Sequence, residues 1–446
     1  MTFCRIKIRR GPALPTLLAL FVMIAASISS ARAFTDPPTI TESVLHSFGN
    51  GYDGWYPQGE LIHDSVGNLY GVAPLGGAKG GGVVFELSPI SGGWTETVLY
   101  NFCSVTNCDD GNQPRGGLVF DTKGNLYGTT QYAGAKGGGV VFELSPGGGG
   151  WTETVLHNFD YTDGSLPSSR LIFDSAGNLY GTAPYGGPFG GGRGGGVAFE
   201  LTPSSNGWTY TALYSFCEKT HCTDGDLPWG GLIFDSAGNL YGTTIDGGSG
   251  EAKCGSIGCG VVYELSPISG GWKETVLYSF CSASGCTDGR SPYDSLVFDS
   301  KGNLYGTTFA GGNGACQFNH GCGLVFELAP SGGGKWTERI LYTFTGGSDG
   351  GNSYAPLIFD SAGNLSGMTY SGGNASCTYS LGCGVVFELR PGSNGRWTES
   401  VPYSFTGGSD GANPVSGLTS DSAGHLYGLT QSGGEFGPGV AFELHK

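Results

Sequence analysis

A thirteen-residue phrase, LIFDSAGNLYGTT at Leu232–Thr244, constrains this chain more than any other feature, because variants of it occur seven times. The Asp of each copy falls at Asp64, Asp121, Asp174, Asp235, Asp299, Asp360 and Asp421, at intervals of 53 to 64 residues. A unit of this length that cannot bury its own apolar face must stack on its neighbours, so the chain is a tandem array.

Each unit reads as four strands. In the fourth copy, Leu232–Phe234 is a short apolar strand and Asp235–Asn239 a turn. Leu240–Thr244 and Val261–Leu265 follow as strands two and three, and after a turn at Ser266–Gly271 comes an alternating fourth strand, Trp272–Phe280. Runs of this length bounded by Gly, Pro, Asn and Asp signal strands, and helical periodicity is absent. Glycine, at 86 of 446 residues, recurs at fixed places in each copy, as turns with positive φ and close backbone approaches require. The expected fold is all-β, a seven-bladed β-propeller with four antiparallel strands per blade. The last copy stops after its third strand, at Phe442–Lys446, whereas Ile40–Leu45 followed by Phe48 matches the fourth strands Thr95–Phe102 and Thr152–Phe159. An N-terminal strand completing the last blade closes the ring and removes an open sheet edge.

Residues 1–33 read as a signal peptide: Arg5, Lys7, Arg9 and Arg10 precede the apolar run Ala13–Ile28, and Ala31-Arg32-Ala33 is an A-x-A cleavage site. The alternative is a retained anchor. Residues 34–446 are then a single propeller domain, secreted to the exterior or the periplasm. Without residues 1–33 the chain has 16 Lys and Arg against 37 Asp and Glu, a net charge of −21. That argues against nucleic acid or an anionic membrane as partner. No cofactor is expected, and the chain is expected to be a monomer.

Twelve cysteines remain after the leader, as six local pairs. Cys103/Cys108, Cys217/Cys222 and Cys281/Cys286 follow fourth strands, while Cys254/Cys259, Cys316/Cys322 and Cys377/Cys383 lie in Gly-rich loops. An even count in an exported chain reads as disulfides, each worth about 2 kcal/mol for so short a loop. Zinc competes, but C-x4-C lacks the tight zinc spacing and most pairs have no accompanying His, so no metal is expected.

The run GLIFDSAGNLYGTT, followed by GGVVFEL and W-x-E-T-V-L-Y-S-F, resembles the GloVer tandem repeat of exported bacterial proteins across essentially all of the mature chain. More loosely, D-x-x-G-N-L-Y is similar to the blade turn of NHL-type and sensor-regulator propellers, which implies that Leu232–Phe234 lines the central channel and Trp272–Phe280 is the outer edge. The GloVer resemblance implies no biochemical activity.

Strand order puts the DSAGN and S-P-x-x-G-G-W turns on one face and the loops after strands two and four on the other. The second face holds every cysteine pair and most of the length variation, the usual place for recognition on a rigid scaffold. There an Asp-Gly pair (Asp53, Asp110, Asp163, Asp224, Asp288, Asp349, Asp410) leads into Pro in all but one blade, where Ser353 stands. The next residue varies: Gln58, Arg115, Ser168, Trp229, Tyr293, Tyr354 and Val415, expected to ring the channel mouth. A second set follows strand two: Leu75, Tyr132, Tyr185, Asp246, Phe309 and Tyr370. Aromatics with a few polar groups around a concavity suit a sugar or peptide, although they equally suit packing between loops.

The once-per-blade acids of the DSAGN turn and of the third strand (Glu86, Glu143, Glu200, Glu264, Glu327, Glu388, Glu443) read as structural, because an active site needs asymmetry. The histidines are scattered; His46 and His157 occupy a slot held elsewhere by Tyr100 and Tyr278, and His221 and His320 lie inside cysteine loops. No hydrolase, zincin, P-loop or full calcium-loop signature occurs. The leading expectation is a binding module for a glycan or another extracellular polymer, glycan or protein. The alternatives are a polysaccharide lyase or hydrolase, for which Arg115, Arg170, Asp246 and Asp294 are the convergent candidates, and a structural surface protein without a small ligand.

Overall fold

The computed structural model describes residues 40–445 apart from 191–192, 250–253, 255–257, 315, 317–319, 374–376 and 378–381. The expected leader and cleavage site, together with residues 34–39, lie outside the described residues.

The chain forms seven antiparallel sheets around a closed ring, each following strand order one to four. The fourth blade shows the pattern, with strands Ile233–Phe234, Leu240–Thr244, Val261–Ile268 and Gly271–Ser279. The outer hairpin is longer than the sequence suggests. Ser266–Ile268 stay paired, and the reversal narrows to two residues. The last blade takes its outermost strand from the N-terminus: Thr41–Ser47 pairs antiparallel with Val440–His445. Ring closure is visible in the core too. Seven apolar clusters each draw on two neighbouring blades, and the last joins Tyr427, Leu429 and Ala441 to Leu61, Leu69 and Phe85 of the first blade.

The repeat phrase explains itself physically. In the first blade Asp64 Oδ1 accepts from the backbone of Val66 and Asn68, each at 2.9 Å. Its Oδ2 takes the Asn68 amide at 2.9 Å and the Tyr70 hydroxyl at 3.2 Å. Burial pushes this carboxyl up, but the donated hydrogen bonds outweigh it and hold the group below its usual range. The acid is a turn clamp, as expected. Gly71 of the same phrase has no room for a side chain, because an added Cβ would lie 2.6 Å from the Phe85 ring. That ring, fully buried, fills the blade. Phe recurs at this position in six blades and Tyr263 replaces it in the fourth. Between blades, the outer-strand Trp of one unit packs on the second-strand Tyr of the preceding one, as for Trp272 on Tyr180 and, across the closure, Trp94 on Tyr427.

The third-strand acids are satisfied as well. Tyr180, Tyr305 and Tyr427 donate to Glu200, Glu327 and Glu443, while Ser88 and Ser266 donate to Glu86 and Glu264 two residues earlier.

Candidate binding site at the channel mouth

Each mouth residue is set by the Asp-Gly turn before it. The Asp accepts a hydrogen bond from the fourth strand in every blade: from Tyr100 at 2.9 Å to Asp110, Tyr278 at 2.9 Å to Asp288, and Tyr403 at 3.0 Å to Asp410. His46 and His157 fill the same slot, each 2.9 Å from Asp53 and Asp163, so these two histidines are strand residues. The Gly reverses the chain at positive φ, +95° at Gly111. The segment that follows then runs into the innermost strand with its variable side chain at the channel.

All seven variable residues, Gln58, Arg115, Ser168, Trp229, Tyr293, Tyr354 and Val415, line one cavity of about 430 Å³. Its wall has two halves. On one side Arg115 Nε donates to Gln58 at 2.6 Å and Nη1 to Gln131 at 3.0 Å, and the Gln131 amide reaches Ser168 at 3.4 Å. Burial draws the Arg115 guanidinium below its ordinary pKa. On the other side lies an aromatic arc. Tyr293 and Tyr354 meet edge to face at 5.0 Å between ring centres, and Tyr354 meets Tyr370 at 5.5 Å. Trp229 continues the arc, with Tyr185 at 6.1 Å behind it.

The second set divides. Tyr370 lines the cavity. Tyr185 and Phe309 do not; they brace the arc from behind, Phe309 lying 5.4 Å from Tyr293 and 4.6 Å from Tyr354. Tyr132 is exposed. Leu75 pairs with Trp55 along the backbone. Asp246 pairs with Asp226 along the backbone, and Arg193 approaches their carboxylates at 3.8 and 3.9 Å. Burial pushes Asp226 up to about 6, against the pull of Arg193. Asp246 is therefore outside the lining of the cavity, while Arg115, Arg170 and Asp294 belong to it.

The floor is charged. Arg170 Nη1 bonds Glu60 Oε2 at 2.6 Å, joining the third blade to the first across the channel. Both residues also line a second cavity, of about 520 Å³, walled by the innermost strands, so the ion pair marks the boundary between the two spaces. Asp294 stands beside it with its carboxyl held well above the ordinary range, by burial first and then by the Glu60 charge. Sequence reasoning passed over Glu60. Yet it was visible: two residues beyond each mouth position stand Glu60, Gly117, Arg170, Gly231, Ser295, Pro356 and Gly417, and only two of those carry charge.

All six expected cystine bridges are formed: Cys103–Cys108, Cys217–Cys222, Cys254–Cys259, Cys281–Cys286, Cys316–Cys322 and Cys377–Cys383. His221 and His320 in these loops are exposed and outside the cavity lining. No helix among the described residues is long and apolar enough to cross a membrane.

No curated protein matches this sequence. Among solved structures, the chain is similar to a putative oxidoreductase (glucose dehydrogenase) of Thermus thermophilus, at 14% identity and a TM-score of 0.42, over 91% of this chain and 100% of that one. The decisive match is to a repeat model covering residues 33–255 and 251–446. The chain is a member of the Gloeobacter/Verrucomicrobia repeat family, and its repeats build a seven-bladed propeller.

Proposed function

We propose that this protein is an extracellular recognition module that binds a carbohydrate at the channel mouth. The observation that carries the reading is the division of one cavity into an aromatic arc, Trp229, Tyr293, Tyr354 and Tyr370, and a hydrogen-bonding arc built on Gln58, Arg115 and Ser168. A sugar ring has an apolar face of C–H groups and an equator of hydroxyls, and this mouth offers both complements at once. The volume of about 430 Å³ lies within the usual span of small-ligand sites. Six bridges on the loops fit life in an oxidising compartment, as does the leader-like N-terminus.

The test is a glycan-array screen of the mature protein beside the double variant Trp229→Ala, Tyr293→Ala. Binding to a defined glycan class that the variant loses supports the reading. An array without signal for the parent protein, or equal signal for the variant, removes it.

One observation favours an enzymatic second reading. Burial and the Glu60 charge hold the Asp294 carboxyl well above its ordinary range beside the Glu60–Arg170 ion pair, and a carboxyl perturbed in this way suits an acid role in a hydrolase or lyase. Release of reducing ends or unsaturated products from a bound polysaccharide, abolished by Asp294→Asn, would convert the binding module into an enzyme. Failure of both experiments leaves the purely structural surface role.

A further inference from the structure

The sevenfold repeat makes departures from it easy to see, and two of them meet. The position that is Asn in six turns (Asn68, Asn125, Asn178, Asn239, Asn303, Asn364) is His425 in the last blade. Two residues past the third-strand Glu stand Ser88, Ser145, Thr202, Ser266, Ala329 and Arg390 in the first six blades, and His445 in the seventh. These positions lie 20 residues apart in sequence, yet the fold brings their rings to 5.0 Å between centres.

Both imidazoles converge on one carboxylate. His425 Nδ1 lies 3.3 Å and His445 Nδ1 3.4 Å from Glu443 Oε1, and His425 Nδ1 is 3.1 Å from Asp421 Oδ2. Ligands at about 2.0–2.1 Å around a tetrahedral ion stand roughly 3.3 Å from one another, and the donor atoms of His425, His445 and Glu443 all lie within 4.8 Å of one another. The surroundings suit it as well. The Tyr427 hydroxyl lies 3.1 Å from Glu443 Oε1 and 3.3 Å from Asp421 Oδ2, and its one proton serves either acid. The other nitrogen of His445 meets Ser43 Oγ at 3.2 Å, the kind of outer contact that fixes a liganding ring.

A structural role explains either histidine alone, since Asn and Ser donate to the same two acids in other blades. It does not explain both. A single oxygen, Glu443 Oε1, is faced by two imidazole nitrogens as well as the Tyr427 hydroxyl, whereas the hydrogen-bond partner of His425 Nδ1 is Asp421 Oδ2. A cation shared by both imidazoles and that oxygen would use these contacts at once.

We propose that His425, His445 and Glu443 form a site for a divalent transition ion of the zinc class, with water as the fourth ligand. The ligands come from the turn between strands one and two and from the third strand of the last blade. Ser43 ties the N-terminal closing strand to it, so the ion would lock the blade through which the ring closes.

The experiment uses the oxidised protein without residues 1–33, whose twelve cysteines are in bridges and are not ligands. Zn²⁺ is titrated by calorimetry, and Co²⁺ by the visible bands of a four-coordinate complex. The parent should take one equivalent of ion, with a rise in melting temperature. His425→Asn and His445→Ser each restore a residue that the other blades carry, so both variants should fold like the parent without metal. Each should weaken the ion by about 100-fold or more. The proposal is overturned if the parent shows no saturable binding, or if the folded double variant keeps one equivalent at the parent affinity.

Discussion

The outer strands hold a second set of acids, and these give a sharp pH prediction. Glu42, Glu96, Glu153, Glu274, Glu338 and Glu399 recur two residues past the Trp slot, and each has one oxygen that is fully buried and accepts no hydrogen bond. Five of them face the Asp-Gly acid of the preceding blade with no lysine alongside. Burial, reinforced by Asp110, pushes Glu153 up to about 8. Burial with Asp410, Asp288 or Asp349 pushes Glu42, Glu338 and Glu399 up to about 7. Glu96 also reaches about 7 through burial, although His46 opposes the rise before Asp53 adds to it. Glu274 differs, being bonded to Lys219 at 2.6 Å. In the third blade Tyr210 takes the slot and donates to the Asp163 carbonyl.

Because these folded-state values lie above the unfolded one, the folded chain holds protons that the unfolded chain has released. The groups therefore contribute stability that is fully present below about pH 4.5 and is lost as pH rises through 7 to 8. A rise of this size converts to about 4 kcal/mol per carboxyl, but the side chains are only part-buried, and screening reduces this to roughly 1 kcal/mol per site. Replacing Glu42, Glu96, Glu153, Glu338 and Glu399 together by Gln keeps the shape and removes the titration. At pH 9 the variant should be more stable than the parent by about 5 kcal/mol, which for a domain of some 400 residues is roughly 6 °C in melting temperature. At pH 4.5 the two should coincide within about 1 °C. Paired scanning calorimetry at the two pH values reads the difference directly and cancels the turn acids, whose lowered values act at lower pH. A difference that does not change with pH, or a variant less stable at pH 9, refutes the reasoning.

Three further outcomes follow from the same repeat logic. Tyr263 places a fully buried hydroxyl without a partner where six blades carry Phe, so Tyr263→Phe should stabilise by about 1 kcal/mol in urea unfolding; a loss of stability would mean that the hydroxyl is bonded. Gly111 sits at φ +95°, and a Cβ there would strike Thr130, so Gly111→Ala should cost about 1–3 kcal/mol, whereas Gly124→Ala, with open space at +88°, should cost about 1 kcal/mol from the backbone alone. The Tyr–Phe contact made between blades by Tyr305 and Phe359 has Ser366 and Ser420 at the equivalent positions of the last two blades. Ser366→Tyr with Ser420→Phe should show a favourable coupling of about 1 kcal/mol in a double-mutant cycle, and additive effects would exclude direct contact.

What the sequence made legible is what the repeat enforces. Strand order, blade number, closure by Thr41–Ser47 and the cystine bridges each rest on a local signal copied several times, and copying averages out the ambiguity of any one copy. The mouth residues were legible for a related reason. They occupy one position of the repeat whose identity varies, so topology alone set Gln58, Arg115 and Tyr354 around one cavity. The second set was harder to read, since the same position is exposed at Tyr132 and lines the cavity at Tyr370, according to loops that are not copied.

The features that escaped were all departures judged one residue at a time. His425 and His445 counted as scattered because neither completes a linear motif, and Glu60 was overlooked because its slot is Gly in three other blades. Aligned by blade, each is an exception, and two pairs of the exceptions are spatial neighbours, His425 with His445 and Glu60 with Arg170. That clustering has a physical reason. A substitution in a repeat loses the partner that its equivalents keep, and it persists most readily where a second substitution supplies a new one. In a ring of near-identical blades, a pair of coincident exceptions is therefore the signal to follow. The two pairs make the channel floor and the closing blade the places where this scaffold departs from what its repeats require.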